Sequence, residues 1–375
     1  MTWHVRTRRI LGLLVALTGL AIAPAQAEEY PIGLLAGLSG GGAQIGQWMV
    51  RGAEVAIENR NKAGETTFRL VPEDTQWNAQ KTVEAFNKVV NVDGAQLVLV
   101  GGSSPLQAVA PIADQTGVII FNVGAQSPAV AGIGRNLFHS LQLSDVDIRV
   151  MARYAHDTLG LRRLATMYVN NDTGKFTQEE FANQFEASGG EVVARESFNQ
   201  NDSNFGVQLA KIRAAGPDSI YLVGTPAELP FAARQIRQVM PDVPIVSYAG
   251  IESREFLEAA GEAGHGIVYS TTHFDPASED PRVREFVAAY AAKYGETPTS
   301  PYVTYTYDAV NVIADALEAT GGEAGEALRE KILEVRRFPG VTGDTVFRDD
   351  GTVTKTIAIK EITSDGFTVR EIVEP

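Results

Sequence analysis

The sequence predicts an α/β protein built from parallel sheets that helices cover on both faces. Three observations predict it. Short β-branched apolar runs alternate with helical patterns almost to the end of the chain, which is how parallel sheets with crossover helices read. The length of 375 residues, at roughly 150 residues per domain, favours two domains over one. The loops at the predicted carboxyl ends of the strands are rich in small polar residues, and those ends are where α/β sheets place their sites.

The elements follow in order. Residues 30–36 read as a strand. Residues 44–62 read as a helix, with Ile45, Trp48, Met49, Gly52, Ala53 and Ala56 at helical spacing. Strand 67–72 comes next, then helix 78–91 with Ala79, Thr82, Val83, Phe86, Val89 and Val90 inward. Strand 95–100, a helix from Pro105 and strand 118–123 complete a first block. The second block has strand 164–169, helix 175–187, strand 191–198 and helix 205–214. Strands 219–223, 243–248 and 266–270 follow, with helices between them. Residues 281–294 and 302–319 read as two helices. The tail from 345 to 373 reads as strands, with turns at Asp349-Asp350-Gly351 and Ser364-Asp365-Gly366.

The first 27 residues read as a targeting segment. Arg6, Arg8 and Arg9 precede an apolar run from Ile10 to Ala23; Pro24 breaks it and Ala25-Gln26-Ala27 has a cleavable small-x-small form. The run is shorter than the ~20 residues a membrane helix needs. A mature chain starting at Glu28 and exported to a periplasm is therefore expected. Its loss would take the formal charge from −14 to −17, since three arginines leave and no acid does. So acidic a chain repels phosphate backbones, which disfavours nucleic acid as a partner. With no cysteine there are no disulfides, thiolate metal sites, Fe–S clusters or cysteine nucleophiles.

Two polar loops carry candidate chemistry. In Gly101-Gly102-Ser103-Ser104-Pro105 the glycines permit close backbone approach, Ser104 suits an N-cap and Pro105 suits the first helical position. Free N–H groups at that helix start favour an anion against Ser103; a plain capped helix with no ligand is the alternative on these residues alone. Gly37-Leu38-Ser39-Gly40-Gly41 matches the G-x-S-x-G nucleophile elbow. It follows the first strand, however, and His139, His156, His265 and His273 have no distinctive context; a Gly-rich turn is the better reading. The sequence has no G-x-x-x-x-G-K-[ST], no H-E-x-x-H, no EF-hand spacing and no defensible acid–base pair. A non-enzyme without metal or cofactor is expected. Tyr302, Tyr305 and Tyr307 are cleft or core candidates.

Taken in order, Ile32-Gly33-Leu34-Leu35, Leu38-Ser39-Gly40, Gly46, Arg51-Gly52-Ala53-Glu54, Glu73-Asp74-Thr75, Val100-Gly101-Gly102-Ser103-Ser104, Gly117-Val118-Ile119-Ile120, Tyr307-Asp308-Ala309 and Gly343 carry a resemblance. The mature chain resembles the type I periplasmic binding proteins of ABC importers, in the branched-chain amino acid group. The resemblance implies two doubly wound lobes, joined by three crossovers near Leu143, Thr272 and Thr354 and closing on a ligand. Lobe one would be residues 28–143 with 273–354, and lobe two 144–272 with 355–375. It implies a monomer that binds a small molecule and serves an inner-membrane permease. Ligand contacts would fall on Ser103 and Gln126, on the backbone of Gly102 and Gly124 beside Ala125, on Thr225 and Ala249, and on Tyr302. Ile45 and Gly174 stand where relatives often have tyrosine.

Two replacements bear on the ligand. Relatives hold an α-ammonium with an acid where this chain has Ala249, which cannot pair with a cation. Glu228 and Glu252 lie near in sequence and could reach in from another loop, but solvated helix residues are the favoured reading. Gln126 brings amide donors and acceptors, which suit a carboxylate, carbonyl or amide. The expected ligand is a small acid or amide lacking an α-amino group, such as an aromatic or keto acid, with a standard amino acid as runner-up. An exported serine hydrolase using Ser39 and a ligand sensor with a membrane signalling partner are the competing functions.

Overall fold

A computed structural model describes residues 1–3, 29–64 and 66–373. Apart from its first three residues, the targeting segment lies outside them. Among the described residues no helix is long and apolar enough to cross a membrane.

The first sheet takes β1 (Glu29–Ala36), β2 (Thr67–Asp74), β3 (Leu97–Val100), β4 (Ile119–Asn122) and β5 (Leu137–His139). All its pairings are parallel, in the order β2-β1-β3-β4-β5. Alternate residues of β1 feed opposite faces: Ile32 and Leu34 join one apolar cluster and Leu35 another. Its helices are α1 (Ala43–Ala63), α2 (Ala79–Asn91) and α3 (Ser103–Thr116). Thus α3 begins at Ser103 rather than at Pro105, with Gly102 as its cap and no side-chain cap bond. Ser104 therefore sits inside the first turn and does not cap it.

The chain then enters the second lobe through α4 (Ser144–Arg153). Strands β6 (Arg163–Val169), β7 (Glu191–Phe198), β8 (Ser219–Val223), β9 (Ile245–Tyr248) and β10 (Val268–Thr272) alternate with α5 (Asp172–Ala187), α6 (Gly206–Ala215), α7 (Leu229–Val239) and α8 (Arg254–Ala260). It returns after Thr272, and α9 (Pro281–Tyr294), α10 (Pro301–Ala319) and α11 (Glu326–Val335) complete the first lobe, with α9 and α10 packed on α1 and α11 on α10. A Cβ on Gly52 would lie 2.2 Å from the Val303 carbonyl oxygen, so glycine is what lets α1 and α10 approach. A small antiparallel sheet follows: β11 (Arg337–Phe338), β12 (Thr345–Phe347) and β13 (Val353–Thr354).

The third crossover delivers β14 (Ile357–Thr363) and β15 (Gly366–Val373) to the second sheet, whose order is β15-β14-β10-β9-β8-β6-β7. This sheet is mixed, not purely parallel. Ile357 enters opposite Thr272, at the carboxyl end of β10. From there β14 can only run antiparallel to its neighbour, and β15 hairpins back on it. Sequence patterning missed β5, which has three residues, and the charge-rich α4 and α11.

The crossovers are tied together by buried polar groups. Lys355 donates its backbone N–H to Gln142 Oε1 (3.1 Å), and its Nζ lies 3.3 Å from Asp308 Oδ2 on α10. Tyr305 on α10 donates to Thr272 Oγ1 (2.9 Å).

Candidate functional site

The carboxyl ends of the two sheets face one another across a cleft of about 420 Å³. That is within the ~300–1,000 Å³ usual for small-molecule sites. From the first lobe, Trp77, Gly102, Ser103, Gly124, Gln126 and Tyr302 line it; from the second, Asn171, Thr173, Asn201, Thr225 and Tyr248 do.

The first-lobe wall is shaped by backbone. Gly102 has φ +88 and turns the chain out of β3, so that α3 starts at Ser103 with its first N–H groups lacking intrahelical acceptors. Such a start, with a hydroxyl beside it, is suited to an anion. The neighbouring loop is moulded by a buried amide. Asn122 Oδ1 accepts from Gly124 N (3.1 Å) and Ala125 N (2.7 Å), while Nδ2 donates to the Ala125 carbonyl (2.7 Å) and to His139 Nδ1 (2.9 Å). Burial pushes the His139 pKa down to about 4, so the ring is neutral and accepts that bond. Ser144 fixes the Gln126 carbonyl through its N–H (2.8 Å) and its hydroxyl (2.7 Å).

Asp74 organises the mouth. It accepts from Leu38 N (2.8 Å), Ser39 N (3.3 Å), Ser39 Oγ (2.5 Å) and Gln76 N (3.0 Å). Desolvation pushes its pKa up, but these hydrogen bonds, that from the Ser39 hydroxyl foremost, outweigh it and hold the carboxyl below its usual range. Ser39 Oγ also accepts from Gln76 Nε2 (3.1 Å) and, among the described residues, pairs with no histidine. Its bonds to Asp74 and Gln76 clamp the turn after β1.

The second-lobe wall hangs on Glu228. Its carboxylate accepts from Asn201 N (2.7 Å), Thr225 N (2.8 Å) and Thr225 Oγ1 (2.5 Å), joining the loops after β7 and β8. Tyr248 donates its hydroxyl to the Gly224 carbonyl (2.6 Å). Asn171 Oδ1 caps α5 by accepting from Gly174 N (2.8 Å).

Residues 29–367 match the profile of a family described as periplasmic binding protein. The chain belongs to the periplasmic binding protein family. Among its relatives, the Leucine-, isoleucine-, valine-, threonine-, and alanine-binding protein of Pseudomonas aeruginosa is 28% identical over 356 residues, covering 92% of this chain and 93% of that one. A leucine-binding protein LivK from Thermotoga maritima aligns with a TM-score of 0.85 at 25% identity, over 92% of this chain and 99% of that one. A solute-binding protein of an ABC transporter from R. palustris, in complex with benzoate, aligns with a TM-score of 0.85 at 19% identity, over 93% and 97%.

In this periplasmic binding protein, the structure brings Gly102, Ser103, Gly124, Gln126, Thr225 and Tyr302 to one cleft. Ala125 and Ala249 stay out of its wall. Ala125 is buried with its N–H and carbonyl both used by Asn122, and Ala249 is buried at the start of a 3-10 turn. Ile45 reaches the wall. Gly174 does not, and no tyrosine could stand there, since a Cβ would lie 2.0 Å from the Val169 carbonyl oxygen. Tyr305 and Tyr307 are core. Glu228 and Glu252 are not solvated: they are 1% and 5% exposed, the first holding loops and the second paired with Lys360 Nζ at 2.5 Å. Neither lines the cleft.

Sequence reasoning missed Trp77, Thr173, Asn201 and Tyr248 as wall residues. Trp77 stands one position beyond the polar strand-end run Asp74-Thr75-Gln76 and Thr173 one beyond Asn170-Asn171-Asp172, while Tyr248 opens the run Tyr248-Ala249-Gly250. Asn201 belongs to the loop after β7, which carried no Gly-rich signal. The only charged residue of the wall, among the described residues, is the exposed Asp172. The carboxyl of Asp147, whose charge acts on Tyr302, has its pKa pushed up to about 8 by desolvation, and its Oδ1 has no partner among the described residues. Burial, aided by that carboxyl, lifts the Tyr302 hydroxyl to about 12, leaving it neutral.

Proposed function

We propose that this periplasmic binding protein is the receptor of an ABC importer. It takes one small carboxylate into the interlobe cleft, closes on it and hands it to an inner-membrane permease without chemistry. The observation that carries this reading is the cleft's charge. Ser103 and the α3 start offer neutral donors to an anion, while the two glutamates nearest in sequence are engaged inside the second lobe. An α-ammonium taken from water would need a paired acid, and the wall offers only exposed Asp172. The ligand is therefore an acid without an α-amino group. The names of the relatives favour an amino acid instead, and Asp172 is the group that would then meet the ammonium.

The same reading gives the protein a periplasmic location after cleavage behind Ala27, a monomeric state, and hinges near Leu143, Thr272 and Thr354 between lobes 28–143/273–354 and 144–272/355–375. The test is a thermal-shift panel of amino acids beside deaminated and aromatic acids, with small-angle scattering on each hit. A ligand at 100 times its Kd should add ~2.7 kcal/mol of stability and reduce the radius of gyration, with the ligand recovered unchanged. Turnover abolished by Ser39→Ala would favour a hydrolase.

A further inference from the structure

Resting on the receptor reading, we propose that Trp77 is the specificity-determining residue of the cleft and that it selects a planar aromatic carboxylate. Of the four non-glycine residues with positive φ among those described, Gln76 (φ +50), Trp77 (φ +56) and Asn201 (φ +65) all line the cleft. Residues with a Cβ occupy that region at a cost and persist only where the surroundings over-determine them. At Gln76 and Trp77 the surroundings do. Asp74 grips Gln76 N as well as the Leu38–Ser39 backbone.

Four glycines then vacate the volume the indole fills. A Cβ on Gly37 or Gly42 would lie 2.3 or 2.7 Å from Trp77 Nε1; one on Gly101 or Gly102 would lie 2.9 or 3.1 Å from Cζ3 or Cε3. The ring therefore spans the loops after β1 and β3, seated on backbone at both ends, with its remaining surface in the cleft wall. Gly101 and Gly102 are also the lead into Ser103. A carboxylate held at the α3 start thus has its body beside the indole. Tyr302, stacked on Trp48 with ring planes 7° apart, and Tyr248 add two further neutral aromatic rings to the wall. A flat ring gains from such rings in offset or edge contact in a way that a puckered one of equal size does not.

Calorimetry on the mature protein with benzoate and cyclohexanecarboxylate tests this, since the two share a carboxylate and a six-membered ring and differ in flatness. Benzoate should bind at least tenfold more tightly. Trp77→Leu should abolish that preference, with cyclohexanecarboxylate affinity changed by less than twofold, and Trp77→Phe should restore it. Trp48 and Trp77 are the only tryptophans after residue 27, so in Trp48→Phe the emission comes from Trp77 and benzoate should change it saturably. Equal affinities, a preference that survives Trp77→Leu, or emission unchanged through saturation would overturn the role of Trp77 and leave the receptor reading standing. If no carboxylate of the wider panel binds at all, the receptor reading itself falls, and this proposal with it.

Discussion

Arg254 on α8 of the second lobe reaches Glu296 of the first, Nη2 to Oε2 at 2.9 Å, while Glu296 Oε1 takes Arg51 of α1 at 2.6 Å. Gln44 Nε2 makes a further interlobe bond to Glu255 Oε1 at 3.3 Å. If the lobes part and close as proposed, these contacts stand on the closed side of that equilibrium. Arg254 is half exposed, which keeps the pair's worth small. Arg254→Ala is expected to weaken ligand binding two- to fivefold, or ~0.4–1 kcal/mol. Salt should shrink the difference. Titration calorimetry at low and high ionic strength checks both; an effect that grows with salt would exclude the pair as its source.

Ser103→Ala should weaken binding of a carboxylate about tenfold or more, because a hydrogen bond to a charged group is worth ~1.5–3 kcal/mol. Helix α3 is capped by Gly102 and not by a serine hydroxyl, so the fold should be unaffected. Unchanged affinity with an unchanged melting temperature would move the anion elsewhere in the wall.

Glu228→Gln replaces one acceptor oxygen with an NH2 group, against donors on Asn201 and Thr225 that the carboxylate now satisfies. The expected loss of stability is ~1–3 kcal/mol, with weaker ligand binding as the two loops loosen. Urea unfolding and calorimetry read the two effects separately. A stable variant with native affinity would mean that Glu228 does not position the wall.

Much of this arrangement was legible beforehand. Helix Pro281–Tyr294 and strands Glu191–Phe198 and Ser219–Val223 stand where hydropathy periodicity put them; the helix buries Val283, Phe286 and Tyr290 on one face and Ser219–Val223 is buried throughout, while Glu191–Phe198 is an edge strand that buries only Phe198. The first-lobe wall was legible at Gly102 and Ser103 because a glycine-rich strand end leaves a local signal, and at Gly124 and Gln126 through the family resemblance. The second-lobe wall was not. Glu228 looks like a solvated helix residue until β7 brings Asn201 to it, a contact 27 residues away in sequence. The direction of β14 was equally hidden, since it depends on which end of β10 the last crossover reaches. Trp77 gave no periodic signal because its seat is formed by four glycines scattered over 66 positions.

Asp147 gives a pH signature. Its folded pKa, raised to about 8, lies above the ~3.9 of an unfolded aspartate. Between those values the native state holds a proton that the unfolded state has released. Its contribution to stability is therefore present at low pH and lost as pH rises through that window. Asp147→Asn removes the penalty, so its stability gain over the native chain should be near zero at pH 4 and reach ~1 kcal/mol or more by pH 8. His139, with its folded pKa near 4, costs stability as pH falls from 6.5, but equally in both proteins. Paired urea titrations at the two pH values check the sign; a gain largest at pH 4 would contradict it.

The charge of the ligand separates the two readings of the cleft. The most direct measurement is calorimetry of the mature protein with matched pairs that differ only in the amine: leucine against 4-methylpentanoate, and phenylalanine against 3-phenylpropanoate. The acid without the amine should bind more tightly in every pair that binds, and Asp172→Asn should leave its affinity within about twofold. Tight leucine binding that is lost with Asp172→Asn, or amines that bind as well as their deaminated partners, would contradict this.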